Sequence, residues 1–185
     1  CAYDSRMVFF FFFYYIRNLK RVTQIHLDEA VSFMSTAQYG EPLPFNKELW
    51  ESVINDFHGH LPIIIRAIPE GTTFYPNEPV IEVESYGGFG EIAAHIEATM
   101  VGQVSICTAR ATLTRHLLER VLDKVKSYYG WDNEQALPVA QNYIHDFGMR
   151  ASSCEKESEL LGFAHLLSFN GTDTFNAARL AREFG

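Results

Sequence analysis

The sequence predicts an α/β protein in which a flanking domain of helices and antiparallel strands, residues 1–138, precedes successive βα units in residues 139–185. Two observations support this division. In the first segment, short β-branched runs are separated by Pro and Gly turns, which is typical of antiparallel strands. After Pro138, apolar runs alternate with helical patterns, and this order implies parallel strands.

The composition is that of an ordinary soluble globular protein, with 47% hydrophobic and 21% charged residues in a chain of 185. The formal net charge of -8, without Lys or Arg runs, argues against binding to nucleic acid or to an anionic membrane. Cys1, Cys107 and Cys154 are far apart and form no Cys-x-x-Cys pair, which disfavours a disulfide framework or structural zinc. We therefore expect a cytoplasmic protein.

An aromatic run extends from Met7 to Ile16. It is shorter than the roughly 20 residues that a membrane-spanning helix needs. It also lacks the initiating Met and small-residue cleavage site of a signal peptide. The run is therefore predicted to be a buried strand or an element at a subunit contact. Since Gly185 directly follows a helical pattern, the chain is expected to be part of a longer protein.

Two helices are predicted next. One covers Thr23 to Gln38 with Thr23 as its N-cap, and Asn46 caps the other. The second has a clear apolar stripe, formed by Leu49, Trp50, Val53, Ile54 and Phe57.

Antiparallel strands follow these helices. The run from Leu61 to Ile68 ends at a Pro-Glu-Gly turn, and residues 72–75 and 80–84 form shorter strands between further turns. The stretch from Glu91 to Tyr129 is helical in two predicted pieces, interrupted near Gly102, and Gly130 ends it.

Beyond Pro138 the pattern becomes strand, helix, strand, helix. The predicted elements are the strand Tyr143 to Phe147, the helix Glu155 to Ala164, the strand Leu166 to Phe169 and the helix Thr174 to Phe184. Ligand groups sit at the carboxyl ends of parallel strands. Phe147, Arg150 and Asp173 fall at these ends.

These three side chains are the candidate substrate-binding residues. Together, an aromatic ring, a guanidinium and a carboxylate complement a flat, polar heteroaromatic ligand. Each also has a structural interpretation, because Asp173 could cap the next helix, Arg150 could pair with Asp146 or Glu155, and Phe147 could pack inward. Their occurrence together at adjacent strand ends favours a binding site.

Other candidates are weaker. His58 and His60 resemble a metal pair, but no third ligand is nearby, so no metal site is predicted. His145 and His165 lie within apolar patterns and are predicted to be core histidines. No Walker or Rossmann phosphate loop is present, and no catalytic residue is assigned.

The chain resembles the nicotinamide phosphoribosyltransferase family from about Val8 to Gly185. The resemblance rests on motifs in the same order and spacing: Gly59-His60-Leu61-Pro62, Pro69-Glu70-Gly71, His145-Asp146-Phe147-Gly148-x-Arg150, Ala164-His165-Leu166 and Gly171-Thr172-Asp173-Thr174.

The resemblance implies an irregular (β/α) barrel of the type II phosphoribosyltransferase kind beside a β-rich domain. It implies an enzyme of NAD biosynthesis, which joins nicotinamide to 5-phosphoribosyl 1-pyrophosphate and releases nicotinamide mononucleotide and pyrophosphate. It further implies a homodimer, Mg²⁺ bound with the phosphoribosyl pyrophosphate, and ATP as an activator. The alternatives are a nicotinate phosphoribosyltransferase and a non-catalytic relative that only binds a ligand or partner.

The same resemblance gives the candidate residues their roles. Phe147 would stack on nicotinamide, Arg150 would supply the adjacent guanidinium, and Asp173 would accept a hydrogen bond from the carboxamide. The catalytic histidine and most phosphate-binding groups of the family are expected beyond Gly185. By this reasoning, the 185-residue chain alone is expected to be inactive.

Overall fold

The structure, a computed structural model, describes residues 4–35 and 43–184. Its elements in chain order are β1 (Met7–Val8), α1 (Phe12–Asn18), α2 (Gln24–Ser35), α3 (Lys47–Asp56), β2 (Ile63–Ala67), β3 (Thr73–Phe74), β4 (Ile81–Ser85), α4 (Gly90–Tyr129), α5 (Asn133–Ala140), β5 (His145–Asp146), a 3-10 helix (Gly148–Ala151), α6 (Glu155–His165), β6 (Gly171–Thr172) and α7 (Phe175–Phe184).

The described residues divide into two compact units. One lies within Cys1–Tyr15, Ile68–Val80 and Met100–Gly185, and the other within Ile16–Ala67 and Ile81–Thr99. Both units combine separated stretches of the chain. The predicted boundary between residues 138 and 139 concerns where the βα units of a barrel begin, and it stays a prediction.

The second unit confirms the predicted caps and the antiparallel pairing of strands. The Thr23 side chain accepts a hydrogen bond from the backbone N–H of His26 at 3.4 Å, and Asn46 Oδ1 accepts one from Leu49 at 3.2 Å. Strands β2 and β4 pair antiparallel from Ile63 opposite Ser85 to Ala67 opposite Ile81. The part of the first predicted helix after Ser35 lies outside the described residues.

In the first unit, the aromatic run begins as a strand and then becomes a helix. β1 pairs antiparallel with β3, so that Met7 lies opposite Phe74. Phe11 has a φ of 84°, which turns the chain into α1, and the N–H of Phe13 donates to Glu70 Oε1 at 2.6 Å. Burial raises the pKa of Glu70, and this effect outweighs the nearby N–H groups.

Most of the run is buried, as predicted, although its strand is only two residues long and Phe13 is exposed. Phe10 packs on Phe163 with ring centroids 5.2 Å apart, and Phe11 stacks on Tyr14 at 4.5 Å. The core around these rings consists of Val8, Phe10, Phe11, Cys107, Ala111, Leu160, Ala164 and Leu180. Across the described ranges, no helix has both the length and the apolar character needed to cross a membrane.

The βα units are present, but both of their strands differ from the prediction. β5 and β6 pair parallel, with His145 opposite Gly171 and Asp146 opposite Thr172. The predicted strand from Leu166 to Phe169 was wrong, because Leu166 instead caps α6 by donating its N–H to the carbonyls of Gly162 and Phe163. The strand predicted over Tyr143 to Phe147 shortens to β5. These elements fit an α/β class, and the barrel stays a prediction.

The predicted interruption near Gly102 was also wrong. α4 is a continuous helix of 40 residues that includes Gly102 and ends before Gly130. A glycine inside a helix costs about 1 kcal/mol relative to alanine, and a long helix on both sides tolerates that cost. Gly130 does end the helix, with a φ of 70°.

Gly102→Ala is expected to raise the free energy of unfolding by about 0.5–1 kcal/mol, because the site is helical and, apart from the adjacent backbone of its own helix, no described atom lies within 4 Å of the added methyl group. Gly130→Ala is the matched control, since its surroundings are equally open but its φ is left-handed. It should lower stability by about 1–2 kcal/mol. Urea denaturation followed by circular dichroism measures both, and a destabilising Gly102→Ala would contradict the helical geometry.

Cys107 is expected to resist thiol reagents in the folded protein. Burial, followed by the nearby Glu70 charge, raises the pKa of its thiol to about 12, so the reactive thiolate is scarce at pH 8. In a Cys1→Ser, Cys154→Ser background, Ellman's reagent should label no thiol in buffer and one in denaturant. Stoichiometric labelling of the folded chain within minutes would contradict the burial.

Candidate functional site

The candidate site lies at the carboxyl ends of the parallel strands β5 and β6. The backbone N–H of Asp173 donates to the carbonyl of Asp146 at 2.9 Å, which extends the ladder by one hydrogen bond beyond β6. Phe147 directly follows β5, and Asp173 directly follows β6. The two predicted residues therefore leave adjacent strands at the same edge.

A buried carboxylate fixes this edge. Asp146 is 6% exposed, and its Oδ1 accepts from the N–H of Gly148 at 3.2 Å. Its Oδ2 accepts from the hydroxyl of Thr172 at 3.2 Å, and that hydroxyl oxygen accepts from the N–H of Thr174 at 3.0 Å. One side chain on β5 thus holds both the turn after β5 and the segment after β6.

Two glycines make room for this carboxylate. A Cβ atom added to Gly148 would lie 2.9 Å from Asp146 Oδ1, closer than real Cβ contacts. A Cβ atom added to Gly162 on α6 would overlap both Asp146 Oδ2 and the methyl group of Ala177 on α7. The network therefore requires close packing of α6 against α7 and the strand ends.

Phe147 and Arg150 are both open to solvent. Phe147 precedes the 3-10 helix and is 64% exposed, so the alternative that it packs inward was wrong. Arg150 lies on that helix, and within the described ranges it has no carboxylate within ion-pairing distance. The alternative pairs with Asp146 and Glu155 are not formed; Glu155 instead accepts from Asn176 at 2.8 Å.

Asp173 does not cap α7. The carbonyl of Thr174 accepts the first helical hydrogen bond, from Ala178 at 3.2 Å, which makes Thr174 the N-cap residue. Asp173 Oδ2 lies 3.2 Å from Nδ1 of His145 instead, and both side chains are 47% exposed. The carboxylate is therefore accessible to a ligand.

The two histidines of this region differ from each other. His165 is a core residue, as predicted, because it is buried and its ring stacks on Phe169 at 5.0 Å. Burial lowers the pKa of His165, although a contact of Nε2 with the carbonyl of Ile144 favours the charged form. The prediction of a core role for His145 was wrong, because its side chain is half exposed.

Sequence reasoning missed Asp146 and His145 as parts of the site. The available signal was their position, since both directly precede Phe147 at a strand end. No group of three or more His, Cys, Asp or Glu side chains that could hold a metal ion occurs among the residues that the structure describes.

Comparison with known proteins relates the sequence of the chain to a family. No protein-family model matches the chain. The nicotinamide phosphoribosyltransferase of Xanthomonas campestris pv. campestris (strain 8004) is 33% identical over 182 residues, which is 98% of this chain and 37% of that protein. The chain is related to the nicotinamide phosphoribosyltransferases.

A second relative supports this relation. The nicotinamide phosphoribosyltransferase of Acinetobacter baylyi (strain ATCC 33305 / BD413 / ADP1) is 29% identical over 127 residues, or 68% of this chain and 24% of that protein. The family resemblance predicted from the motifs is thus confirmed. The chain spans well under half the length of these nicotinamide phosphoribosyltransferases.

Asp146→Asn is expected to destabilise the protein by about 1.5–3 kcal/mol, because a charged acceptor of two hydrogen bonds becomes a neutral amide with one oxygen. The measurement is the free energy of unfolding in urea. Asp123→Asn, at an exposed position of α4, is the control and should change stability by less than about 0.5 kcal/mol. Equal stability of the two variants would show that the Asp146 network is not a stabilising element.

Proposed function

We propose that this chain forms the nicotinamide-binding part of a phosphoribosyltransferase active site. The reaction would join nicotinamide to 5-phosphoribosyl 1-pyrophosphate and give nicotinamide mononucleotide and pyrophosphate, in NAD biosynthesis. One observation carries the proposal. An exposed aromatic ring and an accessible carboxylate, Phe147 and Asp173, directly follow two paired parallel strands.

Phe147 and Arg150 suit the flat pyridine ring. A phenyl ring that is 64% exposed leaves apolar surface in water, and a stacked heteroaromatic ring would cover it. Arg150 follows on the 3-10 helix, and a guanidinium without an ion-pair partner in the described ranges is available to a ring face or an anionic group. In this proposal both residues bind and orient nicotinamide.

Asp173 suits the carboxamide group. An ionised carboxylate only accepts hydrogen bonds, and the amide nitrogen of nicotinamide only donates them. Nicotinate would instead bring a second negative charge to the same place. Asp173 would therefore select nicotinamide by attraction and reject nicotinate by repulsion, which disfavours the alternative of a nicotinate phosphoribosyltransferase.

The chemical step would be attack of the pyridine nitrogen on C1 of the ribose, with cleavage of the bond from C1 to the pyrophosphate oxygen. Positive charge developing on the ribose would be stabilised electrostatically. The described residues offer no cluster for Mg²⁺, so no magnesium site is assigned here. The homodimer, the Mg²⁺ that would accompany the phosphoribosyl pyrophosphate, and activation by ATP stay predictions.

Asp173→Asn is expected to reduce the preference for nicotinamide over nicotinate about tenfold or more, because it removes the charge while retaining a similar shape. The measurement is the Kd of each ligand from ¹⁵N NMR titration of the chain. Residues 145–150 and 171–173 should report the binding. An unchanged ratio of the two Kd values would contradict the role of Asp173.

Two further variants separate the contributions. Phe147→Leu should weaken both ligands by similar factors of about two- to tenfold, because stacking does not distinguish an amide from a carboxylate. Asp123→Asn on α4 should change neither Kd. No chemical-shift change near Phe147 and Asp173 with millimolar concentrations of either ligand would contradict the proposed function.

A further inference from the structure

The strand register places His145 and Asp173 on one face of the β5–β6 pair. His145 lies directly opposite Gly171, and Asp173 is two residues after Gly171. Side chains two residues apart on an extended chain point to the same face. The hydrogen bond between the Asp173 N–H and the Asp146 carbonyl keeps this geometry past the end of β6. The histidine and the carboxylate are therefore diagonal neighbours across the strands.

Gly171 allows the imidazole to reach that neighbour. A Cβ atom at Gly171 would overlap Nε2, Cδ2 and Cε1 of the His145 ring, so the ring lies directly over the glycine backbone. The φ of Gly171 is not in the left-handed region. Glycine at this position therefore leaves space for the ring, and the backbone conformation does not demand it. With any larger residue, the ring would have to move away from Asp173.

The contact has a defined direction. Nδ1 of His145 lies 3.2 Å from Oδ2 of Asp173. An ionised carboxylate has no proton to give, so the ring nitrogen is the donor. Because both side chains are 47% exposed, the pair contributes little to stability. The contact instead orients the Asp173 side chain, because it holds one oxygen of the carboxylate. The other oxygen, Oδ1, accepts no hydrogen bond from the described part of the chain.

We infer that His145 is a positioning residue that holds Asp173 by Oδ2 and presents Oδ1 to the carboxamide of nicotinamide. This inference rests on the proposed function. A carboxylate that can rotate loses orientational freedom when the ligand binds, and the imidazole has already removed that freedom. His145 therefore strengthens the preference for nicotinamide over nicotinate without touching the ligand.

The test compares two substitutions of His145. His145→Ala removes the donor and should weaken nicotinamide binding about three- to tenfold, with a smaller effect on nicotinate. His145→Asn places an amide N–H near the position of Nδ1 and should restore the wild-type Kd within about twofold. Gly171→Ala, which displaces the ring, should reproduce the effect of His145→Ala. Both Kd values come from ¹⁵N NMR titration of the 185-residue chain, and thermal denaturation verifies folding.

A double-mutant cycle tests whether His145 affects binding through Asp173. In the Asp173→Asn background, His145→Ala should cause no further loss of nicotinamide affinity, because its effect acts through the carboxylate. An undiminished loss in that background, or equal weakening of both ligands by His145→Ala alone, would overturn the inference. If Asp173→Asn changes the ligand preference and His145→Ala does not, the inference fails and the proposed function stands. If Asp173→Asn leaves the preference unchanged, both fail.

Discussion

The buried carboxylate of Asp146 is the interaction on which the candidate site depends. Its two oxygens bind a backbone N–H in the turn after β5 and a hydroxyl on β6. Its volume also requires glycine at position 162, where α6 passes close to Ala177 of α7. A charge that is almost completely buried is tolerable only when hydrogen bonds satisfy it, so these contacts constrain each other. The positions of the exposed side chains that follow β5 and β6 therefore depend on this buried network.

Local signals in the sequence predicted the starts of α2 and α3, whereas α1 and α5 were not predicted and the predicted break in α4 was wrong. Thr23 and Asn46 act as N-caps because their side-chain oxygens need only the next turn of the same helix. The strands were harder to predict. The segment from Leu166 to Phe169 has the composition of a buried strand. In the structure its backbone N–H groups instead donate to carbonyls at the end of α6, and the ring of Phe169 stacks on His165. Tertiary contacts decided between these two uses.

The candidate site was likewise predictable from local sequence only in part. The positions of Phe147, Arg150 and Asp173 in loops after apolar runs followed from the pattern, whereas the partner of Asp173 did not. Identifying His145 required the register of β5 against β6, and an error in the second strand shifts that register. Glu70 is a similar case, since nothing local to the Pro-Glu-Gly turn indicates that its carboxylate accepts from the first turn of α1, 57 residues away.

The ladder between β5 and β6 has only two residues on each strand. So short a ladder gives the strand ends little protection of their own, and the free energy of local opening there depends on the Asp146 contacts and on the packing of α6 against α7. The turn carrying Phe147 and the segment carrying Asp173 would then open as one cooperative unit, while the aromatic core stays folded. Amide hydrogen exchange in the two segments would then report one common free energy of opening, and the open fraction would raise the apparent Kd of any ligand bound there.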